Sequence, residues 1–135
     1  MPDQDVELHS TIHEVVGAFR SRYGELIDDP EFVRERCSEL SEKFAELCRD
    51  SGVPACVVSG ARFGEDPRFP GVTLLLAGHY ATQVPARWDE LRQEWSGELV
   101  VDWTAHQFGD PEWSVDLPVP WMTSLDCWRE IWRHL

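Results

Sequence analysis

The sequence predicts an α+β domain, with N-terminal helices packed on a small antiparallel sheet and a C-terminal helix closing the fold. Three observations predict it. Apolar residues recur at three- and four-residue spacing through the N-terminal third. Beyond residue 52, short apolar runs alternate with Gly- and Pro-rich turns. Residues 122–134 then return to a helical pattern.

Each element has a local reason. In residues 10–28, Ile12, Val15, Val16, Phe19, Tyr23, Leu26 and Ile27 make one apolar face of a helix. Ser10 or Thr11 suits its N-cap, with Glu14 as the capping-box partner of Thr11. "DDPE" starts a second helix, Asp29 as N-cap and Pro30 in the first turn. "DPEFVRERC" reads as continuous helix, so that Val33, Cys37, Leu40, Phe44 and Leu47 share a seam until Gly52 stops it. Residues 53–59 read as a buried strand, "ARFGEDPRFPG" as a turn, and "VTLLLAGHYATQV" as a central strand. Residues 86–97 read as a short helix or an irregular insertion, and "ELVVDWTAHQF" as a third strand running into a turn. "GDPEWSVDLPVPW" reads as a surface loop, and residues 122–134 as a helix with Leu125, Trp128 and Trp132 on one face.

Bulk properties narrow the function. The chain has 135 residues, 42% of them hydrophobic and 27% charged, which fits one globular domain spanning 1–135. A net charge of −13 argues against nucleic acid as a partner, because that affinity rests on cations displacing counterions. The same charge favours a basic substrate. No apolar run reaches the roughly 20 residues of a membrane span, and the N-terminus lacks the pattern of a secretory signal. The expectation is a cytoplasmic protein without membrane attachment. Four cysteines, at 37, 48, 56 and 127, form no C-x-x-C pair, so neither a metal site nor a cofactor is expected. Cys48, Cys56 and Cys127 read as core thiols.

Cys37 has company. It is followed by His79 at the end of a central strand and Asp102 at the end of the next. A thiol becomes a strong nucleophile as thiolate, and a neighbouring imidazole both takes its proton and stabilises the resulting ion. A carboxylate on the far ring nitrogen orients that imidazole. Two adjacent strands can hold the His and Asp side by side while a helix points the Cys at them.

These residues carry a resemblance. Cys37, Phe44, Leu47-Cys48-Arg49, Gly52-Val53-Pro54-Ala55 and Val58-Ser59-Gly60, followed by Gly78-His79-Tyr80 and Asp102-Trp103-Thr104, resemble the transglutaminase-like branch of the papain-like cysteine peptidase and acyltransferase superfamily. The likeness spans residues 37–104. It implies a papain-like core with Cys37 as nucleophile, His79 as base and Asp102 as orienter. It also implies attack on an amide, ester or thioester carbonyl and passage of the acyl group to water or an amine. Two departures stand out. Glu35 occupies the place where the family usually has Gly, and the gap from His79 to Asp102 is long, implying an insertion near "QVPARWDELRQEWSG".

Gln83 and Gln107 are the candidate oxyanion donors beside the Cys37 backbone N–H. Trp103, Tyr80, His106 and Trp121 are the candidate substrate-pocket residues, and a surface position suits His106. The substrate expected is a small molecule, peptide or protein bearing an amide or thioester. Two other readings stay open: a transglutaminase-like binding module that has lost its chemistry, and a toxin that deamidates or cleaves a host protein.

Overall fold

Where the backbone is capped and where it breaks sets the helical half of the chain. In a computed structural model, residues 9–108 and 112–134 are described, 112 and 115 by backbone alone. Helix α1 (Ser10–Tyr23) is capped by His9, not by Ser10 or Thr11. The His9 ring nitrogen Nδ1 accepts the Thr11 N–H at 3.2 Å, and the ring edge rests on Trp95. The helix ends at Tyr23, and residues Gly24–Asp28 form a 3₁₀ turn in place of its last predicted turn. Asp29 caps the one-turn helix α2 (Pro30–Val33) as expected, its carboxylate accepting Glu31 N–H at 2.9 Å.

The expected continuous helix is interrupted. Arg34 is extended, Glu35 takes φ 62°, and a new helix α3 (Cys37–Asp50) starts at Cys37. Gly52, at φ 84°, ends it: Val53 N–H reaches back to Cys48 O at 2.9 Å in a left-handed C-cap.

Four antiparallel strands form the sheet, in the order β1-β2-β5-β6. They are β1 (Cys56–Glu65), β2 (Thr73–Val84), β5 (Leu99–Asp102) and β6 (Trp121–Ser124). Strand β1 runs on through "ARFGE", which had read as turn. Its glycines are there because other groups cross the strand: Trp132 lies over Gly60 and Leu76 over Gly64. The stretch 86–97 is a separate hairpin of β3 (Arg87–Asp89) and β4 (Glu94–Ser96), held by the cross-strand pair Trp88–Trp95 with ring centroids 5.1 Å apart. Trp121–Ser124, expected as loop and helix, is the fourth strand, so α4 is only Leu125–Ile131, capped by Ser124.

The sheet has a core on each face. Helices α1 and α3 cover one, where Phe19, Phe44 and Trp103 meet in a ring triangle with centroids 4.7–5.5 Å apart. On the other face Val58, Ala81 and Val100 meet Leu117, Trp121, Trp128 and Trp132 from the C-terminal segment. Each wholly buried side chain of this size contributes roughly 1.5–3 kcal/mol. The Thr82 hydroxyl donates to the Ser41 carbonyl at 2.8 Å, tying β2 to α3 by a buried polar bond. Cys48 is core as expected, whereas Cys56 is exposed and Cys127 half-buried.

Gly60→Ala tests the close approach of the C-terminal segment. Its Cβ would lie 2.7 Å from the Trp132 carbonyl oxygen, and backbone cannot yield as a flexible side chain can. The expected result is destabilisation by about 1–3 kcal/mol in urea unfolding, with a shift in tryptophan fluorescence.

Candidate functional site

Three elements bring Cys37, His79 and Asp102 together. His79 sits where β2 has run past the end of β5, and Asp102 is the last residue of β5. The His79 and Asp102 side chains are both fully buried, with His79 Nε2 2.7 Å from Asp102 Oδ2. The carboxylate has two further donors: Trp128 Nε1 to Oδ2 at 3.0 Å and Thr104 N–H to Oδ1 at 3.1 Å. Trp128, expected only as packing on the last helix, also fixes the acid.

The other imidazole nitrogen, Nδ1, is buried and has no hydrogen-bond partner. The Cys37 thiol lies near enough to the ring for each group to shift the other's pKa. Burial opposes the thiolate. It is outweighed by His79 and by the Tyr80 and Ser38 N–H groups, so the Cys37 pKa falls below its ordinary value. Burial also opposes protonation of His79, but the Asp102 charge and hydrogen bond prevail, with a smaller push from Cys37, raising it to about 9. Both shifts favour an imidazolium–thiolate pair.

Cys37 is the first residue of α3, where backbone N–H groups have no partner within the helix and the helix dipole favours an anion. The first such bond in this turn is Leu40 N–H to Arg36 O at 2.9 Å. The break that puts the thiol there is pinned from outside the helix. Gln107 Oε1 accepts the Glu35 N–H at 3.3 Å while its Nε2 donates to Thr104 O at 3.0 Å. Gln107 therefore bridges the turn before the cysteine and the turn after the aspartate. Glu35, at φ 62°, holds the left-handed conformation natural to the Gly that the resemblance leads one to expect.

Other candidates fall elsewhere. Gln107 is engaged as this bridge. Gln83 lies four residues along β2 from His79, about 13 Å at strand rise, and lines a cavity of about 410 Å³ with Cys56 and Trp95. Gln83 is therefore remote from His79 and the thiol. Trp103 and Trp121 are core side chains, closed in by the neighbours that complete each face of the sheet. His106 is buried, not on the surface, and burial holds its pKa below the ordinary value. Tyr80 alone of the four stays exposed beside Cys37. Sequence reasoning missed the aromatic housing: Trp132, Phe108 and Trp128 surround the His79 ring at centroid distances of 4.6, 5.0 and 6.0 Å. Among the described residues no cluster of ligating side chains suits a metal ion, and no helix is long and apolar enough to cross a membrane.

No family model, curated protein or solved structure matches this chain.

Two outcomes check the geometry. Glu35→Gly should leave stability unchanged or raise it by up to about 1 kcal/mol, while Glu35→Val should lower it by at least as much, since a β-branched residue resists positive φ. A histidine whose pKa is raised on folding stabilises most below its unfolded value of about 6.5. That stability is lost as pH rises through the folded value. With Cys37→Ala removing the coupled thiol, unfolding free energy should therefore fall from about pH 6.5 upward, and His79→Gln in that background should flatten the fall.

Proposed function

We propose that the chain is a cysteine-dependent acyl-transfer or amide-hydrolysing enzyme with a transglutaminase-like, papain-like core. One observation carries the reading: a half-buried thiol at a helix N-terminus faces an imidazole whose far nitrogen is held by a buried carboxylate. A binding module that had lost its chemistry gained its support from a thiol in mid-helix and from the missing glycine. The start of α3 at Cys37 and the left-handed Glu35 favour the enzyme instead.

The chemistry follows from the groups present. The Cys37 thiolate attacks the carbonyl carbon of an amide or thioester, and the C=O electron pair moves to oxygen. The backbone N–H groups at the start of α3 are placed to stabilise that oxyanion. Its collapse expels the amine or thiol, which takes the proton held on His79, and leaves a thioacyl-Cys37. Water or an amine then attacks the thioester as His79 Nδ1 takes its proton, and the second collapse restores the thiolate. Asp102 keeps Nε2 as donor throughout, so that Nδ1 faces the sulfur. A reducing cytoplasm suits a site that works through a free thiol.

Iodoacetamide at about pH 6, with labelling mapped by mass spectrometry, tests the ion pair, because an ordinary thiol is almost wholly protonated there. Cys37 should label at least roughly tenfold faster than the exposed Cys56. Buried Cys48, its pKa pushed up to about 12, should stay unlabelled. His79→Ala should abolish the selectivity. Equal rates at Cys37 and Cys56 in the wild-type protein would sink the proposal.

A further inference from the structure

Strand β2 is twelve residues long, yet β5 pairs with it only at Thr82, Gln83 and Val84. From Thr73 to Gly78 the edge that faces away from β1 has no backbone partner among the described residues. Beyond Ala61, which still pairs with Arg133, the β1–β2 ribbon thus forms a two-stranded arm that runs past the end of β5. Six of the eight large apolar side chains exposed among the described residues belong to β1, β2 and the turn between them: Phe63, Phe69, Val72, Leu75, Leu76 and Tyr80. Leu75 is 60% exposed and Phe69 56%.

Natural sheets protect such an edge with lysine, proline or an inward charge. The segment "TLLLAG" has none of these. The bulge opposite Arg62 and Phe63 twists the ribbon but leaves three consecutive leucines on it. An apolar open edge is a template for another strand.

Charge decides which strand. The chain carries −13, but residues 61–78 hold two arginines, one glutamate and one aspartate, a balance of zero. Arg68 already lies on Asp66 at 3.2 Å. A basic partner would be drawn to the acidic body and away from this arm. Two copies of the chain repel each other through their bodies, and the neutral arm is where that repulsion is least. An antiparallel edge is also self-complementary, the requirement for a two-fold contact.

We propose that the β1–β2 arm is a homodimerisation surface, on which the free edge of β2 pairs antiparallel with the same edge of a second copy. The paired edge runs directly into Tyr80 and Cys37, so the second copy also narrows the approach to the thiol. This assembly does not depend on the chemistry proposed above.

Light scattering after size exclusion, at protein concentrations from about 1 to 100 µM, reads the assembly directly. The wild-type chain should run at twice the monomer mass. Added salt should strengthen the dimer by screening the acidic bodies. Leu75→Lys and Leu76→Lys, both at exposed positions, should each give monomer with an unchanged circular dichroism spectrum. Leu91→Lys, exposed but off the arm, should stay dimeric. Hydrogen exchange needs no variant: amides of residues 73–78 should be better protected in concentrated than in dilute protein. A wild-type monomer across the whole range overturns the proposal. So does a dimer that survives both lysine substitutions, or exchange at 73–78 that ignores concentration.

Discussion

A single buried carboxylate organises the site. An ionised group withdrawn from water loses several kcal/mol of solvation unless its oxygens are paired. Asp102 meets that demand with three donors from three parts of the chain: His79 on β2, Trp128 on α4 and the Thr104 N–H in its own turn. The C-terminal helix is therefore fastened to the sheet by a polar bond as well as by the apolar faces of Trp128 and Trp132. The imidazole is fixed by the same bonds, since its Nε2 has one place to point. Orientation of His79 and docking of α4 are two consequences of one desolvated charge.

Cys37 and Cys48 make an internal comparison, because one helix carries both. Cys48 is sealed among apolar side chains, and burial drives its pKa to about 12, little relieved by the neighbouring Arg49. Cys37 feels burial as its largest single influence too, yet ends below its ordinary value, since His79 and two N–H groups face it. Position along the helix makes the difference. At the first residue the N–H groups are unclaimed; eleven residues later they are all committed to the helix.

Much of this was legible in the sequence. The element order, the seam of α1 and α3, and the convergence of Cys37, His79 and Asp102 all follow from patterns whose cause is local: apolar periodicity, a Pro after an Asp, residue types at strand ends. The failures share a different cause. The break at Glu35 has no glycine or proline to announce it, because Gln107, far along the chain, holds the Glu35 N–H and imposes the turn. Strand β6 was hidden because Trp121 follows a proline-rich stretch that reads as loop and residues 122–124 continue into a helical pattern, while its pairing with β5 and the Trp121–Trp113 contact come from distant parts of the chain. Gly64 suggested a turn because a glycine that admits a crossing side chain looks, in one dimension, like a glycine that bends the chain. Gln107 lies in the neighbourhood for which it was singled out, where it also bridges Glu35 and Thr104.

The aromatic housing bears on why the ion pair survives. Phe108, Trp128 and Trp132 exclude water from the His79–Asp102 pair, and in such surroundings an electrostatic contact is stronger and an unpaired charge costlier than at a surface. The two effects oppose each other at His79, where burial disfavours the charged ring and Asp102 prevails. The proton stays on His79 because the Asp102 carboxylate is held against Nε2 at 2.7 Å, which outweighs the cost of burying the charged ring. A proton held there favours a negative sulfur at Nδ1, the one side of the ring that no oxygen or nitrogen claims. Trp128 does not need to touch a substrate to matter to the thiol: it fixes the acid, the acid keeps the base charged, and the charged base favours an ionised sulfur.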